Sequence, residues 1–208
     1  MIDTATRTEP TESQAKSRFD EARRAMIDSQ LRTSGVTEPF VIARMGLVPR
    51  EEFVPEGQRA GAYADRAVRL PDGGFLPAPV FHGMLLAEAH PTKDDHVIVV
   101  DAGSGYLPAL VEPMVATMTV ASAADAVAGK PGAENASLLL IDGAIEELPE
   151  ALVKALAPDA RVVSGLFDRG VTRLAAGRKA GGGVALVPLA EVGVPRLAAF
   201  DRETGWTF

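Results

Sequence analysis

Apolar residues in the first half of the chain recur at helical spacing, and residues that end helices interrupt them. The pattern begins near Arg18 and stops at Gly35, because glycine readily takes the left-handed conformation that closes a helix. Further helices are predicted over residues 39–45 and from 80 to about 89. Between them, residues 70–79 are dense in Pro and Gly and predict a loop. This half is therefore predicted to be a helical region.

The second half contains short apolar runs separated by turn residues, which is typical of buried strands in a parallel or mixed sheet. A helix is predicted between two of these runs, over residues 145–160, and a strand followed by an antiparallel hairpin is predicted over 161–188. Alternation of strands and helices that ends in a hairpin indicates a doubly wound α/β sheet. The runs are residues 96–100, 115–120, 138–141, 162–166 and 184–187.

Length and polarity indicate how the chain is divided. At 208 residues it is expected to form one domain, or one domain with an arm. Residues 1–17 are polar without an apolar period and are predicted to be a flexible N-terminal arm. Residues 18–90 are expected to form an N-terminal helical subdomain, and residues 91–208 the α/β domain.

Composition narrows the possible functions. The net charge is -7, and an acidic surface repels phosphates, so no nucleic-acid partner is expected. The chain has no cysteine, which excludes disulfides and thiolate chemistry. Its three histidines lack metal-ligand spacing, so no metal is expected, and His82 is expected to make a helix-surface or loop contact. With no apolar run near ~20 residues and no apolar leader, no transmembrane segment and a cytoplasmic location are expected.

The strongest chemical signal is the turn after the first predicted sheet strand, which reads Asp101, Ala, Gly103, Ser104, Gly105, Tyr. Glycines let the backbone turn sharply and approach a ligand, at the sheet edge where open α/β sheets bind ligands. Pro108 stands where a dinucleotide fingerprint has its third glycine, which disfavours a pyrophosphate site. Two interpretations remain: an S-adenosylmethionine-type site in which Asp101 accepts from the ligand's ammonium, or a tight strand-to-helix turn.

Five segments in order resemble the protein-L-isoaspartate O-methyltransferase family. They are MIDSQLRTSGV (26–36), VPREEFVP (48–55), AYAD (62–65), HVIVVDAGSGY (96–106) and IDGAIEELPEAL (141–152). The resemblance implies a Rossmann-like S-adenosylmethionine-dependent methyltransferase fold with an N-terminal helical subdomain and a C-terminal antiparallel hairpin. It also implies methyl transfer from S-adenosylmethionine to an isoaspartyl carboxylate. Cofactor contacts are then expected at Asp101, Gly103, Ser104, Gly105 and Asp142.

Two departures from the family pattern concern the cofactor. Rossmann-like sites place an acid at the end of the second strand to hold the ribose, but here that strand runs into residues 121–124, which read Ala-Ser-Ala-Ala. Asp125 follows the predicted strand end on what is expected to be a loop. Moreover, only 37 positions separate Gly105 from Asp142, too few for all the family's elements. The fold is therefore predicted to be reduced by one βα element, with a vestigial or weak cofactor site or none bound.

A third departure concerns the substrate. The family's Gln-Thr-Ile-Ser-x-Pro-like segment, whose hydroxyls help to bind the substrate carboxylate, reads Gly74, Phe75, Leu76, Pro77, Ala78, Pro79 here. Proline has neither a hydroxyl nor a backbone N–H. The catalytic residues stay unassigned. We expect a degenerate member that serves as a binding or accessory subunit of a larger protein assembly, with Trp206 packing back or docking on a partner; the alternative is an active methyltransferase.

Overall fold

The computed structural model describes residues 12–202, and its first part is helical, as predicted. Helix α1 spans Glu12–Met26 and continues through a π-helical turn, Ile27–Leu31, and a 3-10 turn. Gly35, at φ +83°, ends this run, as predicted. The helix begins at Glu12 rather than near Arg18, so the predicted arm includes its first turn; residues 1–11 lie outside the described part, as does Trp206.

Two further helices and a small sheet complete this part. Helices α2 (Pro39–Leu47) and α3 (Pro79–Ala89) both start on a proline, which suits a helix start because the first N–H groups lack helical acceptors. Strand β1 (Val68–Arg69) pairs antiparallel with β2 (Phe75–Leu76), which lies inside the Pro- and Gly-rich stretch that was predicted to be a loop. The division at residues 90 and 91 stays a prediction.

The remaining strands form a seven-stranded mixed sheet in the order β4-β3-β5-β6-β7, with β8 and β9 both paired to β7. β3 pairs in parallel with β4 and β5, β5 with β6 also in parallel, and β6 with β7 as the predicted antiparallel hairpin. The strands are β3 (His96–Asp101), β4 (Thr117–Ser122), β5 (Ala136–Ile145), β6 (Leu156–Asp168), β7 (Val171–Ala180), β8 (Gly183–Val184) and β9 (Val187–Glu191).

The sheet is buried on both faces, which explains the continuous apolar runs of its central strands. Val97 and Val99 of β3 face a large core that also holds α2, α3 and α4 (Tyr106–Val111). Ile98 and Val100 face a second core that includes α5 (Ala123–Val127) and α6 (Glu150–Ala155).

The connection from β4 to β5 confirms the predicted reduction by one βα element. It consists of the five-residue helix α5 and a loop, with no strand among residues 123–135. β4 therefore lies at the edge of the sheet, and Val120 on it is 48% exposed.

Two predicted elements were wrong. The helix predicted over 145–160 is only α6, because Pro149 precedes it and residues from Leu156 onward, including Pro158, belong to β6. A proline cannot continue the hydrogen-bond pattern of a helix interior. The strand predicted over 184–187 is divided between β8 and β9. Within residues 12–202, no helix is both long and apolar enough to cross a bilayer.

Candidate functional site: a cleft at the ends of β3 and β4

A cleft of about 670 Å³ opens beyond the carboxyl ends of β3 and β4. Open α/β sheets bind their ligands in this position. Five stretches line it: residues 101–103 after β3, residues 72–75 of the loop before β2, residues 122–124 after β4, residues 67 and 69 at β1, and residues 195–199 near the C-terminus. The first and third were expected from the sequence, whereas the last was not.

The turn after β3 has the backbone that its glycines predicted. Gly103 and Gly105 adopt φ +103° and +72°, in the left-handed region that favours glycine. The Asp101 carboxylate accepts hydrogen bonds from the N–H of Gly103 (2.9 Å) and of Gly105 (3.1 Å). Burial, together with the charge of Asp142, raises the pKa of Asp101 to about 6. Asp101 is thus held in a fixed orientation and is mostly ionised at neutral pH.

The loop before β2 lies directly on this turn. The N–H of Phe75 donates to the carbonyl of Ala102 at 3.0 Å. A Cβ on Gly74 would lie 2.4 Å from the same carbonyl oxygen, so only glycine fits there without a backbone shift. The carbonyl of Pro77 accepts from the Arg50 guanidinium. Pro77, at the position where the family resemblance predicts a hydroxyl, thus has its remaining polar group already bonded.

The last residue of β4, Ser122, lines the cleft with a hydroxyl rather than a carboxylate. Ser122 caps α5: its Oγ accepts from the N–H of Asp125 at 3.0 Å and donates to the Asp125 carboxylate at 2.7 Å. Asp125 thus lies on the first turn of a helix rather than on the expected loop, and it does not line the cleft.

Two arginines also line the cleft. Arg69, on β1, is exposed, and within residues 12–202 its guanidinium has neither a hydrogen bond nor an ion pair. The Arg196 guanidinium instead forms ion pairs with Glu146 and Asp201. A guanidinium in this position matches the geometry of a carboxylate.

A buried polar cluster packs against Tyr106, directly after the turn that follows β3. Arg50 and His82 are fully buried, and the His82 ring joins the Arg50 guanidinium (3.2 Å from Nδ1) to the Asp142 carboxylate (2.8 Å from Nε2). The Arg50 guanidinium also lies over the Tyr106 ring, 5.0 Å from its centre. Burial lowers the pKa of His82, so the ring is neutral at neutral pH. The expectation of a helix-surface or loop contact for His82 was wrong.

The five expected cofactor residues are thus divided between two places. Asp101 and Gly103 line the cleft, while Ser104 and Gly105 complete the turn, with Ser104 Oγ accepting from the N–H of Tyr106. Asp142 is fully buried and does not line the cleft. Their cofactor contacts stay predictions. Among the described residues, no group of His, Asp and Glu side chains is arranged to hold a metal ion.

Comparisons with known proteins identify the family. The family model for protein-L-isoaspartate(D-aspartate) O-methyltransferase matches residues 21–128, just over half of the chain. Proteins called protein-L-isoaspartate O-methyltransferase from Methanoregula boonei and Methylorubrum extorquens are each 29% identical, over 70% and 76% of this chain and 78% and 79% of their own. One from Roseiflexus sp. is 34% identical over 53% of this chain and 50% of its own length.

Solved structures match the fold. A Plasmodium falciparum protein described as a putative protein-L-isoaspartate O-methyltransferase, in complex with S-adenosyl-L-homocysteine, superimposes with a TM-score of 0.67 at 18% identity. The match covers 84% of this chain and 97% of that one. A second protein-L-isoaspartate O-methyltransferase gives the same TM-score at 14% identity, over 84% and 65% of the two chains. The Rossmann-like methyltransferase fold is thereby confirmed, and the chain belongs to the protein-L-isoaspartate(D-aspartate) O-methyltransferase family.

Proposed function

We propose that this chain binds S-adenosylmethionine or its demethylated product weakly in the cleft, and that it serves as a binding or accessory subunit of a larger protein assembly rather than as an isoaspartyl methyltransferase. The observation that carries the proposal is the loop of residues 74–79. It corresponds in sequence to the segment that, by the family resemblance, binds the substrate carboxylate, and it offers no hydroxyl.

The residues of the cleft fit the cofactor. A volume of about 670 Å³ is within the ~300–1,000 Å³ typical of small-molecule sites. The Asp101 carboxylate, held by two backbone N–H groups, is an acceptor for the ligand's ammonium. When bound, S-adenosylmethionine supplies a methyl group on a positively charged sulfur.

The affinity is expected to be weak because the ribose lacks a charged partner. Ser122 replaces the acid that Rossmann-like sites place at the end of the second strand, and the nearby Asp125 carboxylate is turned toward Ser122. A hydrogen bond to a charged group contributes about 1.5–3 kcal/mol, which corresponds to roughly one to two decades of affinity.

The loop argues against methyl transfer to an isoaspartyl side chain. The Phe75 N–H is used by Ala102, the Gly74 N–H by Asp72, and Pro77 has none. An anionic substrate held there would lose hydrogen bonds with water without gaining equivalent donors. Methyl transfer to an oxygen that is already an anion depends mainly on positioning, so losing these donors removes the principal contribution of the enzyme.

One observation favours the alternative, an active methyltransferase. The Arg69 guanidinium lines the cleft beside this loop, since Arg69 pairs with Phe75 across β1 and β2. A guanidinium binds a carboxylate through two parallel hydrogen bonds. Arg69 could in this way replace the missing hydroxyls.

A methyl-transfer assay distinguishes the two functions. The chain is incubated with radiolabelled S-adenosylmethionine and a peptide that contains isoaspartate, beside the Methanoregula boonei relative as a positive control. We expect no methyl ester above background from this chain, and a stoichiometric partner when it is purified from its own cells. Methyl ester formation that Arg69→Ala abolishes would establish the enzyme instead, as would a chain that purifies alone and active.

A further inference from the structure

The stretch of residues 194–200, called segment 194–200 below, is fastened to the carboxyl end of β5. The N–H of Ala144 donates to the carbonyl of Pro195 at 2.9 Å, and the N–H of Leu197 donates to the carbonyl of Ala144 at 2.8 Å. These bonds form a parallel bridge between Ala144 and Arg196. Segment 194–200 therefore has a defined register on the sheet, at the edge where the cleft opens.

Two glycines inside long strands make room for this segment. A Cβ on Gly143 of β5 would lie 2.7–3.2 Å from the Leu197 side chain, and one on Gly165 of β6 would lie 2.8 Å from Val194 and equally close to the backbone oxygen of Gly143. Glycine weakens a strand interior and often marks a close approach of another part of the chain. Glycine at positions 143 and 165 thus allows segment 194–200 to pack closely against β5 and β6.

Charge and packing both hold the segment in place. Arg196 forms ion pairs with Glu146 and Asp201, and its guanidinium lies over the ring of Phe167, 4.7 Å from the ring centre. Leu197 and Phe200 are buried in the core that contains α5 and α6. Between these two anchors, Ala198 and Ala199 are exposed and line the cleft.

The segment lies where the reduced fold is incomplete. The connection after β4 contains only α5, and residues 198–200 contact α5 directly. Ala198 and Ala199 are therefore at the β4 end of the cleft. In Rossmann-like sites, the end of this second strand holds the ribose.

We propose that segment 194–200 takes the place of the missing βα element as the recognition wall of the cleft, and that Ala198 and Ala199 face the nucleoside end of the ligand. The inference rests on the proposed cofactor binding. Small side chains at these two positions leave the width that a nucleoside needs, so a bulky residue there excludes it.

Calorimetric titration with S-adenosylhomocysteine tests this assignment. Ala198→Trp is expected to weaken binding at least about tenfold, because it fills the cleft without disturbing the core. The matched control is Ala116→Trp, at an exposed position that precedes β4 at the other end of the sheet. Both variants are expected to keep the parent's thermal unfolding temperature. Equal affinity in the Ala198→Trp variant and the parent would overturn the recognition wall while leaving cofactor binding in place.

A second measurement needs no ligand. The chain has no cysteine, so Ala124→Cys places in the cleft the only thiol that can react with a thiol reagent. Adding Ala198→Trp is expected to slow its reaction with a thiol reagent severalfold, whereas a thiol at Ala116 is expected to react at an unchanged rate. If the parent binds no S-adenosylhomocysteine, the proposed function fails. If Ala198→Trp leaves the reaction rate of the thiol at position 124 unchanged, the proposal that segment 194–200 is a wall of the cleft is then also overturned. A slowed rate would support that proposal.

Discussion

The two sides of the cleft are held by different forces. Below the turn after β3 lies a buried network in which His82 joins Arg50 to Asp142. On the side of segment 194–200, apolar side chains pack onto Gly143 and Gly165. A buried polar network tolerates little change because each unpaired group is costly, whereas apolar packing can be replaced by another segment of suitable shape. The family model matches residues 21–128, which include the turn but not segment 194–200.

Breaking the buried network is expected to have the largest effect. Arg50→Leu leaves the Asp142 carboxylate buried without its cation, so we expect a loss of about 3–5 kcal/mol in the free energy of unfolding. Chemical denaturation measures this loss. Arg32→Leu, which removes only an exposed pair with Asp28, is the control and is expected to change stability by less than ~0.5 kcal/mol.

The same experiment has a diagnostic second step. Adding Asp142→Leu to Arg50→Leu is expected to restore part of the lost stability, because no unpaired charge then remains buried. A double variant that is less stable than Arg50→Leu would show that charge does not hold the buried network. The difference in forces between this network and segment 194–200 would then be refuted.

The packed side is tested by a pair of substitutions. Gly143→Ala is expected to cost about 1–3 kcal/mol through overpacking against Leu197. In the Leu197→Ala background, the added methyl group meets no such obstacle, so its cost is expected to vanish. Gly193→Ala, where a Cβ meets nothing within 4 Å, is the control. Additive costs in the double-mutant cycle would contradict direct contact between segment 194–200 and β5.

Sequence patterns predicted the elements of the turn side because their signals are local. A strand, an acid and two glycines lie within ten residues and predict the turn correctly. Segment 194–200 has no period of its own, and its position depends on Gly143 and Gly165, which are distant in sequence. Its role as a cleft wall could not be predicted from local spacing.

The buried network had a signal that local analysis missed. His82 lies in an apolar helix and Asp142 in an apolar strand, 60 positions apart. An acid in a buried run needs a partner, so the two residues could have been paired. The helix predicted over 145–160 was extended too far for a related reason: Leu156 pairs with Ala136 of β5, a contact that periodicity does not reveal.

Restoring an acid at the end of β4 is expected to have a smaller effect. In an Asp125→Asn background, which removes a competing charge, Ser122→Asp is expected to bind S-adenosylhomocysteine about tenfold more tightly than the parent. Ser122→Asn is the matched control, since asparagine also caps a helix but carries no charge. Equal affinities of the Asp and Asn variants would show that the ligand's ribose does not reach β4.

The smallest expected effect is a shift in pH dependence. Binding of the ligand's ammonium requires ionised Asp101, so affinity is expected to fall as the pH drops through about 6, the pKa of Asp101. Asp142→Asn removes a negative charge that raises this pKa, so the fall is expected at lower pH. Calorimetry at several pH values measures both. A pH profile that Asp142→Asn leaves unchanged would show that the charge of Asp142 does not raise the pKa of Asp101.

Ionisation of Asp101 also affects folding, with the opposite sign. Its pKa is higher in the folded chain than the ordinary 3.8, so the ionised group disfavours the folded state. This unfavourable contribution is complete above pH 6 and disappears as the pH falls toward 3.8. The conditions that favour ligand binding are therefore those in which this residue destabilises the fold.

The most direct test is the binding of S-adenosylhomocysteine to the unmodified chain and to Asp101→Ala, measured by calorimetry at pH 8. We predict one site per chain in the parent and at least about a tenfold loss of affinity in the variant, because the ammonium loses its charged acceptor. Absence of binding in the parent at millimolar ligand, or equal binding by both, would contradict a cofactor cleft beyond β3.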